Sequence, residues 1–217
     1  MGSDIHSYAE VMTDEGFWKM VGDSFKNPYY STDFPPTKYN IEYSHISLRE
    51  RNYWLFSILA NVRNVGYISP IDLPRDLPDD VSEEVESYYA GWDNNAHSAS
   101  WLTLQELLNY DWDRTFIYTG YVEETEYKNY LDKGSPDNWY ESFHATDSSA
   151  LINNIAMKKL VSSTRERQSH LSYYTKLHWK QTYKELIGTD FFSDTLVTLA
   201  QLHPDFTKVR IVFWFDC

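Results

Sequence analysis

The run Val209-Arg210-Ile211-Val212-Phe213-Trp214-Phe215 constrains the fold more than any other stretch of the chain. It is β-branched and aromatic almost without interruption, the pattern of a buried central strand. The opposite end of the chain carries the complement. Read as a strand, residues 4–11 place Asp4, His6, Tyr8 and Glu10 on one face and Ile5, Ala9 and Val11, with the small Ser7, on the other. One face can dock on a core while the other presents two acids, an imidazole and a phenol. The expectation is an α+β fold, a single domain over residues 1–217, with a mainly antiparallel sheet containing both termini and helices packed against it.

A length of 217 residues with 42% hydrophobic content is enough for one globular domain with its own core. No apolar run approaches the roughly 20 residues of a membrane span. Asp4 and His6 also interrupt a signal-peptide reading of the first residues. The sequence therefore reads as a cytoplasmic protein that engages no membrane. Its one cysteine, Cys217, excludes an internal disulfide.

The formal net charge of −13 is unevenly spread, with 17 acids against 3 bases in residues 76–147. Residues 38–75 balance to +2 and residues 148–217 to +3. An acidic field of this kind repels polyanions at long range, so duplex DNA is not an expected partner. A small phosphate-bearing ligand stays accessible where a few arginines converge, because charges beyond about 8–10 Å are screened. The 18 Tyr and 8 Trp supply core and, beyond it, flat surface for a stacked ring or a partner protein.

Along the chain, Phe17–Val21 reads as a second strand reached through a turn at Asp14-Glu15-Gly16, and residues 22–46 read as loop. Ser47 and Glu50 match a capping box for a helix through Asn64, with Arg63 suited to its C-terminus. Ser82 caps an acidic helix start. Residues 91–102 read as a small-residue polar loop, and Thr103 with Glu106 forms a second capping box. That loop sets His97, Ser98 and Ser100 before a helix N-terminus, which reads either as an anion seat or as ordinary turn and capping chemistry. Thr115–Tyr118 suggests a strand, residues 149–187 a long helical region, and Ser193 the cap of a last helix stopped by Pro204.

These segments together resemble a family of small proteins encoded by tailed bacteriophages and prophages. Its members start Met-Gly-Cys-Asp-Ile-His and continue with an Arg-Asn-Tyr-x-Leu-Phe helix and a Leu-Pro-Asp-Asp-Val-Ser segment. They then carry a His-Ser-His-Ser-Trp-like loop, and many end in Val-Arg-Ile-Val-Phe-Trp-Phe-Asp. The matching stretches here are Met1 to His6, Arg51 to Phe56, Leu77 to Ser82, His97 to Trp101 and Val209 to Asp216. The resemblance spans the chain and implies a phage protein at work in an infected bacterial host; it brings no activity with it. Ser3 stands where the family has cysteine, and Ala99 where the loop has its second histidine. If that histidine is catalytic or a metal ligand, the resemblance implies a divergent or disabled variant.

The residues themselves support readings of different classes. In the first, His6, Arg51, His97, Ser98 and Ser100 meet a phosphate beside Asp4 and Trp101 while an aromatic ring stacks on a base, so that the chain captures a nucleotide such as a second messenger of host defence. In the second, Asp4, His6 and His97 hold a divalent metal, or His6 and His97 run acid–base chemistry, and the chain hydrolyses such a nucleotide. Binding and cleavage stay open at this point. A hydrogen-bonded Asp–His pair bracing a terminal strand accounts for Asp4 and His6 equally well. In the third, the acidic block is an interaction face that inhibits a basic host defence protein, the plain alternative being a solvated surface. A virion component is a further reading. No phosphate-binding glycine loop and no nucleophile–base–acid triad is visible.

Overall fold

The computed structural model describes residues 2–31, 37–43, 48, 51–64, 66–163 and 170–216. In chain order its elements are β1 (Asp4–Met12), β2 (Trp18–Met20), β3 (Asp23–Lys26), β4 (Tyr39–Tyr43), α1 (Tyr53–Ala60), α2 (Glu83–Ala90), β5 (His97–Thr103) and α3 (Leu104–Asn109). There follow β6 (Thr115–Glu123), α4 (Glu124–Lys133), β7 (Ser149–Leu151), α5 (Asn154–Ser162), β8 (Ser172–Thr182), α6 (Tyr183–Ile187), α7 (Leu196–Ala200) and β9 (Val209–Asp216). Residues 1–217, expected to form one domain, group into two compact units: unit 1 is Met1–Asp111 with Ile187–Cys217, and unit 2 is Trp112–Leu186.

Unit 1 has the expected α+β architecture. Its antiparallel four-stranded sheet, in the order β2-β1-β9-β5, contains both terminal strands. Every residue from Val209 to Phe215 is buried, because β9 is paired on both edges and covered on both faces. On one face Tyr8, Ala99, Val212 and Trp214 join Val85 of α2 in a single cluster. On the other, Phe215 meets Phe56 of α1 edge-on at 5.1 Å.

The register of the terminal strands is set by a buried charge pair. Glu10 lies opposite Arg210, and Arg210 Nε donates to Glu10 Oε2 at 2.7 Å. Arg210 also donates to Asp80 through Nη1 (2.7 Å to Oδ1) and Nη2 (3.1 Å to the carbonyl). The second Glu10 oxygen accepts the Ser82 N–H at 2.8 Å. The guanidinium lies 3.9 Å from the Trp18 ring and 5.6 Å from the Trp101 ring, so one side chain ties together β2, β1, β9 and β5.

Several local expectations are corrected. Residues 22–46, read as loop, contain the paired strands β3 and β4. The Ser47–Glu50 box lies outside the described residues; α1 is capped by Asn52, whose side chain accepts from the Leu55 N–H at 3.0 Å. The helix ends at Asn61 in the left-handed region, φ 58°, before reaching Asn64. Arg63 therefore lies beyond the helix and donates from Nε to Ser3 Oγ at 2.9 Å. Residues 97–103 form β5, because β9 offers an edge that even small residues can pair with. Ser193 falls inside a π turn, Phe191–Thr195, that runs into α7.

Unit 2 overturns the long helical region. Its sheet has the order β6-β8-β7, with β6 and β8 antiparallel and β7 and β8 parallel. In β8, Thr175, Leu177 and Trp179 are buried while Lys176, His178 and Lys180 are exposed, a period of two that only a strand produces. α4 and α5 pack against the buried face. Tyr118 and Trp179 stack there at 5.3 Å with Trp139 edge-on to both. Gly120 makes that packing close, since a Cβ would sit 2.8 Å from the Trp139 ring and 3.1 Å from Trp179.

Candidate functional site

The first residues of β1 and the last of β9 meet at one end of the unit 1 sheet. Asp4 lies opposite Asp216, and its N–H donates to Asp216 Oδ1 at 3.1 Å. Arg51 closes a fork on the Asp4 carboxylate, Nε to Oδ1 at 2.5 Å and Nη2 to Oδ2 at 2.6 Å. Those hydrogen bonds hold the Asp4 carboxyl below the usual carboxylate range and push the Arg51 guanidinium up. Gly2 runs so close that a Cβ there would fall 2.5 Å from Arg51 Nη1.

His6 shares this end. Its Nε2 is 3.2 Å from Asp216 Oδ2, with each side chain 23% exposed. The imidazole lies between two indoles, 4.1 Å from the Trp92 ring and 5.9 Å from the Trp214 ring. Asp4, His6 and Arg51, chosen from the sequence, thus come together around Asp216 and Trp92, which were not. Asp216 was within reach of sequence reasoning: once Glu10 is matched with Arg210 across antiparallel strands, Asp216 must face Asp4.

The second segment reaches the same end of the sheet but points elsewhere. His97 lies opposite Phe215 and stacks on its ring at 6.0 Å, whereas His6 lies opposite Trp214. Neighbouring residues of a strand face opposite ways, so the two imidazoles leave opposite faces with β9 between them. A register shift between His97 and Ser100 accompanies Ser98, whose φ is 53°. His97 Nδ1 is 3.0 Å from Ser98 Oγ. Asp4, His6 and His97 therefore do not assemble, and among the described residues no group of three His, Cys, Asp or Glu side chains is placed to hold a metal.

Ser100 and Trp101 serve a different cluster. Ser100 is buried and its Oγ accepts the Arg75 N–H at 3.2 Å. The Arg75 guanidinium lies 4.9 Å from the Trp101 ring and pairs with Glu106 at 2.5 Å. Glu106 also completes the expected capping box, accepting the Thr103 N–H at 2.8 Å while its own N–H donates to Thr103 Oγ1 at 3.2 Å. Burial pushes the Glu106 carboxyl up, but the hydrogen bonds from Arg75 and Thr103 outweigh it and hold the group low. The proposed anion seat before α3 is thus filled by the chain's own carboxylate.

Ser3 and Ala99, where the resemblance led to the expectation of a cysteine and a histidine, are both buried. Ala99 packs in the cluster of Tyr8 and Trp214. A cavity of about 310 Å³ lies beside α2, lined by Tyr30, Lys38, Glu83 and Glu86 among others, and none of the residues singled out from the sequence borders it. Comparison of the chain with protein-family models, curated proteins and solved structures finds no match.

Proposed function

We propose that the chain is a binding protein of the phage kind it resembles, acting in the host cytoplasm by docking its acidic unit 1 on a basic host protein. The partition of charge carries this reading. Counted on the sequence, unit 1 holds 22 acids against 9 bases, a net −13, and unit 2 holds 10 against 10, a net of zero. The acidic block of residues 76–147 divides between the units: the part in unit 2 is balanced by the bases of residues 148–186, and the part in unit 1, residues 76–111, has 9 acids and no base. Asp76, Asp79, Glu83 and Glu86 are exposed in and before the first turns of α2. A one-sided field of this kind raises association rates with a basic partner and disfavours anionic ones.

The same electrostatics argue against capture of a phosphate at the His6 end. Two carboxylates, Asp4 and Asp216, stand there beside one guanidinium and one imidazole, and the guanidinium fork is already filled by Asp4. A phosphate would have to displace a carboxylate from Arg51 and then lie beside it. The test is affinity capture from bacterial lysate at low and high salt with the intact chain and a Glu83→Gln/Glu84→Gln/Glu86→Gln variant. A basic protein that is retained at low salt, released at high salt, and bound on the order of tenfold more slowly by the variant is the expected result. Absence of any salt-labile basic protein overturns the reading. So does stabilisation by about 2.7 kcal/mol from a nucleotide supplied at 100 times its dissociation constant, which would restore nucleotide capture.

A further inference from the structure

We propose that the open face of the unit 2 sheet binds single-stranded nucleic acid. The inference uses a different unit from the acidic docking face and stands or falls separately from it. β6 and β8 bury one face under α4 and α5; the other presents Thr119, Tyr121, Lys176, His178 and Lys180. Ile117, across from Lys180, is 60% exposed on that face.

Two features set this face apart from an ordinary solvated sheet. The first is a row of rings at one end: Phe143 lies 6.0 Å from Tyr121 and 4.9 Å from Tyr174, and Tyr140 lies 5.9 Å from Tyr174. The Tyr140 segment is held in place by paired backbone hydrogen bonds with Tyr121 at 2.8 and 2.9 Å, so the rings sit on a fixed frame. The second is the line of cations beside them. Lys176 Nζ lies 5.8 Å from the Tyr121 ring centre, and Lys180 follows about 13 Å further along the strand at the usual rise per residue.

Rings that offer a π-face to any base, next to lysines that can track phosphates, are the two parts of a single-strand platform. The acids of α4 are Glu124, which is buried, and Glu126 and Asp132, carried by a helix that packs against the buried side of β6 and β8. Glu123, opposite Tyr174, and the exposed Glu141 stand at the ring end. Their charge directs phosphates toward Lys176 and Lys180 and leaves the ring end to bases. Duplex DNA keeps its bases stacked inside and cannot use the rings. Unit 2 also lacks the net negative charge that makes unit 1 repel any nucleic acid.

Fluorescence anisotropy of a labelled mixed-sequence oligonucleotide, titrated with the full chain at low salt, tests the inference. The single strand should bind at least tenfold more tightly than the same sequence as duplex. Its log affinity should fall with log salt at a slope of about −1.4, the value for two phosphates neutralised on a single strand. Tyr121→Ala should weaken binding at least about fivefold, the low end for one stacked base. Lys180→Gln, at an exposed position that does not touch the core, should flatten the slope by about 0.7. If Tyr121→Ala fails to fold, Lys176→Gln paired with Lys180→Gln decides. No single-strand binding by the wild-type chain, equal binding of duplex, competition by poly-glutamate as effective as by the oligonucleotide, or unchanged binding by the folded variants would each overturn it.

Discussion

Removing one end of the Glu10–Arg210 pair should be far more damaging than removing both. The side chains are 0% and 2% exposed, so neither charge has recourse to water. In Glu10→Leu, Arg210 keeps one carboxylate partner among the described residues, Asp80, whose own side chain is 65% exposed. Breaking a buried pair in this way costs about 3–5 kcal/mol, and the partial rescue by Asp80 places the loss near the lower figure. Glu10 also accepts the buried Ser82 N–H, and orphaning that group adds about 1–3 kcal/mol. The single substitution should therefore lose about 4–6 kcal/mol, a large share of the stability of an ordinary domain.

In the double variant Glu10→Leu/Arg210→Met the unpaired guanidinium is gone and only the orphaned N–H remains. Replacing a buried pair by apolar side chains of similar volume is commonly neutral or stabilising by about 1–4 kcal/mol, which offsets the orphan. The double variant should fall within about 2 kcal/mol of wild type, at least about 2 kcal/mol more stable than Glu10→Leu alone. Hydrogen exchange read over peptides of β1, β5 and β9 isolates unit 1 from unit 2 and yields the opening free energy of this sheet directly. A loss below about 1 kcal/mol in Glu10→Leu, or a double variant no more stable than that single one, would refute the reasoning.

Two further substitutions test separate parts of the structure. Ser82 occupies the N-cap of α2, yet its buried Oγ makes no hydrogen bond among the described residues. Ser82→Ala should change thermal stability by less than about 0.5 kcal/mol, where a working cap would lose about 1 kcal/mol or more. In unit 2, burial raises the Glu126 carboxyl, but donors from Asn138, Asp137 and Asn129 outweigh it and bring the group down to about 2 from its usual 4.5. Because the folded value is the lower one, this stabilisation is complete above pH 4.5 and is lost as the pH falls toward 2. Unit 2 amides should thus lose protection across that interval in the wild-type chain. Glu126→Gln should start less protected and vary less with pH; an identical acid profile in both proteins would remove Glu126 as the cause.

What the sequence disclosed was whatever a single periodicity decides. Val209–Phe215 is apolar but for Arg210 and reads as central, which it is; residues 4–11 alternate, which suits one open face, but Ser7, Tyr8, Ala9 and Glu10 are all buried, because Val85 of α2 packs with Tyr8 on the face expected to be open. Thr103 and Glu106 carry a capping box in their spacing alone, and it is present in full. The failures have a common origin in segments whose pattern fits two elements. Leu171, Tyr174 and Leu177 repeat every third residue, as in a helix, but Thr175, Leu177 and Trp179 repeat every second one, and pairing with β6 selects the second. His97–Ser100 are small and polar with weak preference for any state, so their pairing with β9 decides what they are. The acidic block of residues 76–147 is not a unit of the fold, since the chain passes from one unit into the next within it.

The cluster at the His6 end follows from the same register. Glu10 opposite Arg210 fixes the alignment of β1 and β9, and six residues further on that alignment sets Asp4 against Asp216. Two carboxylates directly across a pair of strands repel one another, at a cost of up to about 1 kcal/mol. Arg51 answers one of them with a two-point contact and His6 answers the other from within a slot between Trp92 and Trp214. An acid two residues from a histidine with an arginine within reach looks catalytic in the sequence, and here the same three side chains offset that juxtaposition. The residues are held in place by a charge pair at the far end of the same two strands, so Glu10→Leu should also loosen the Asp4–Arg51 contact it never touches.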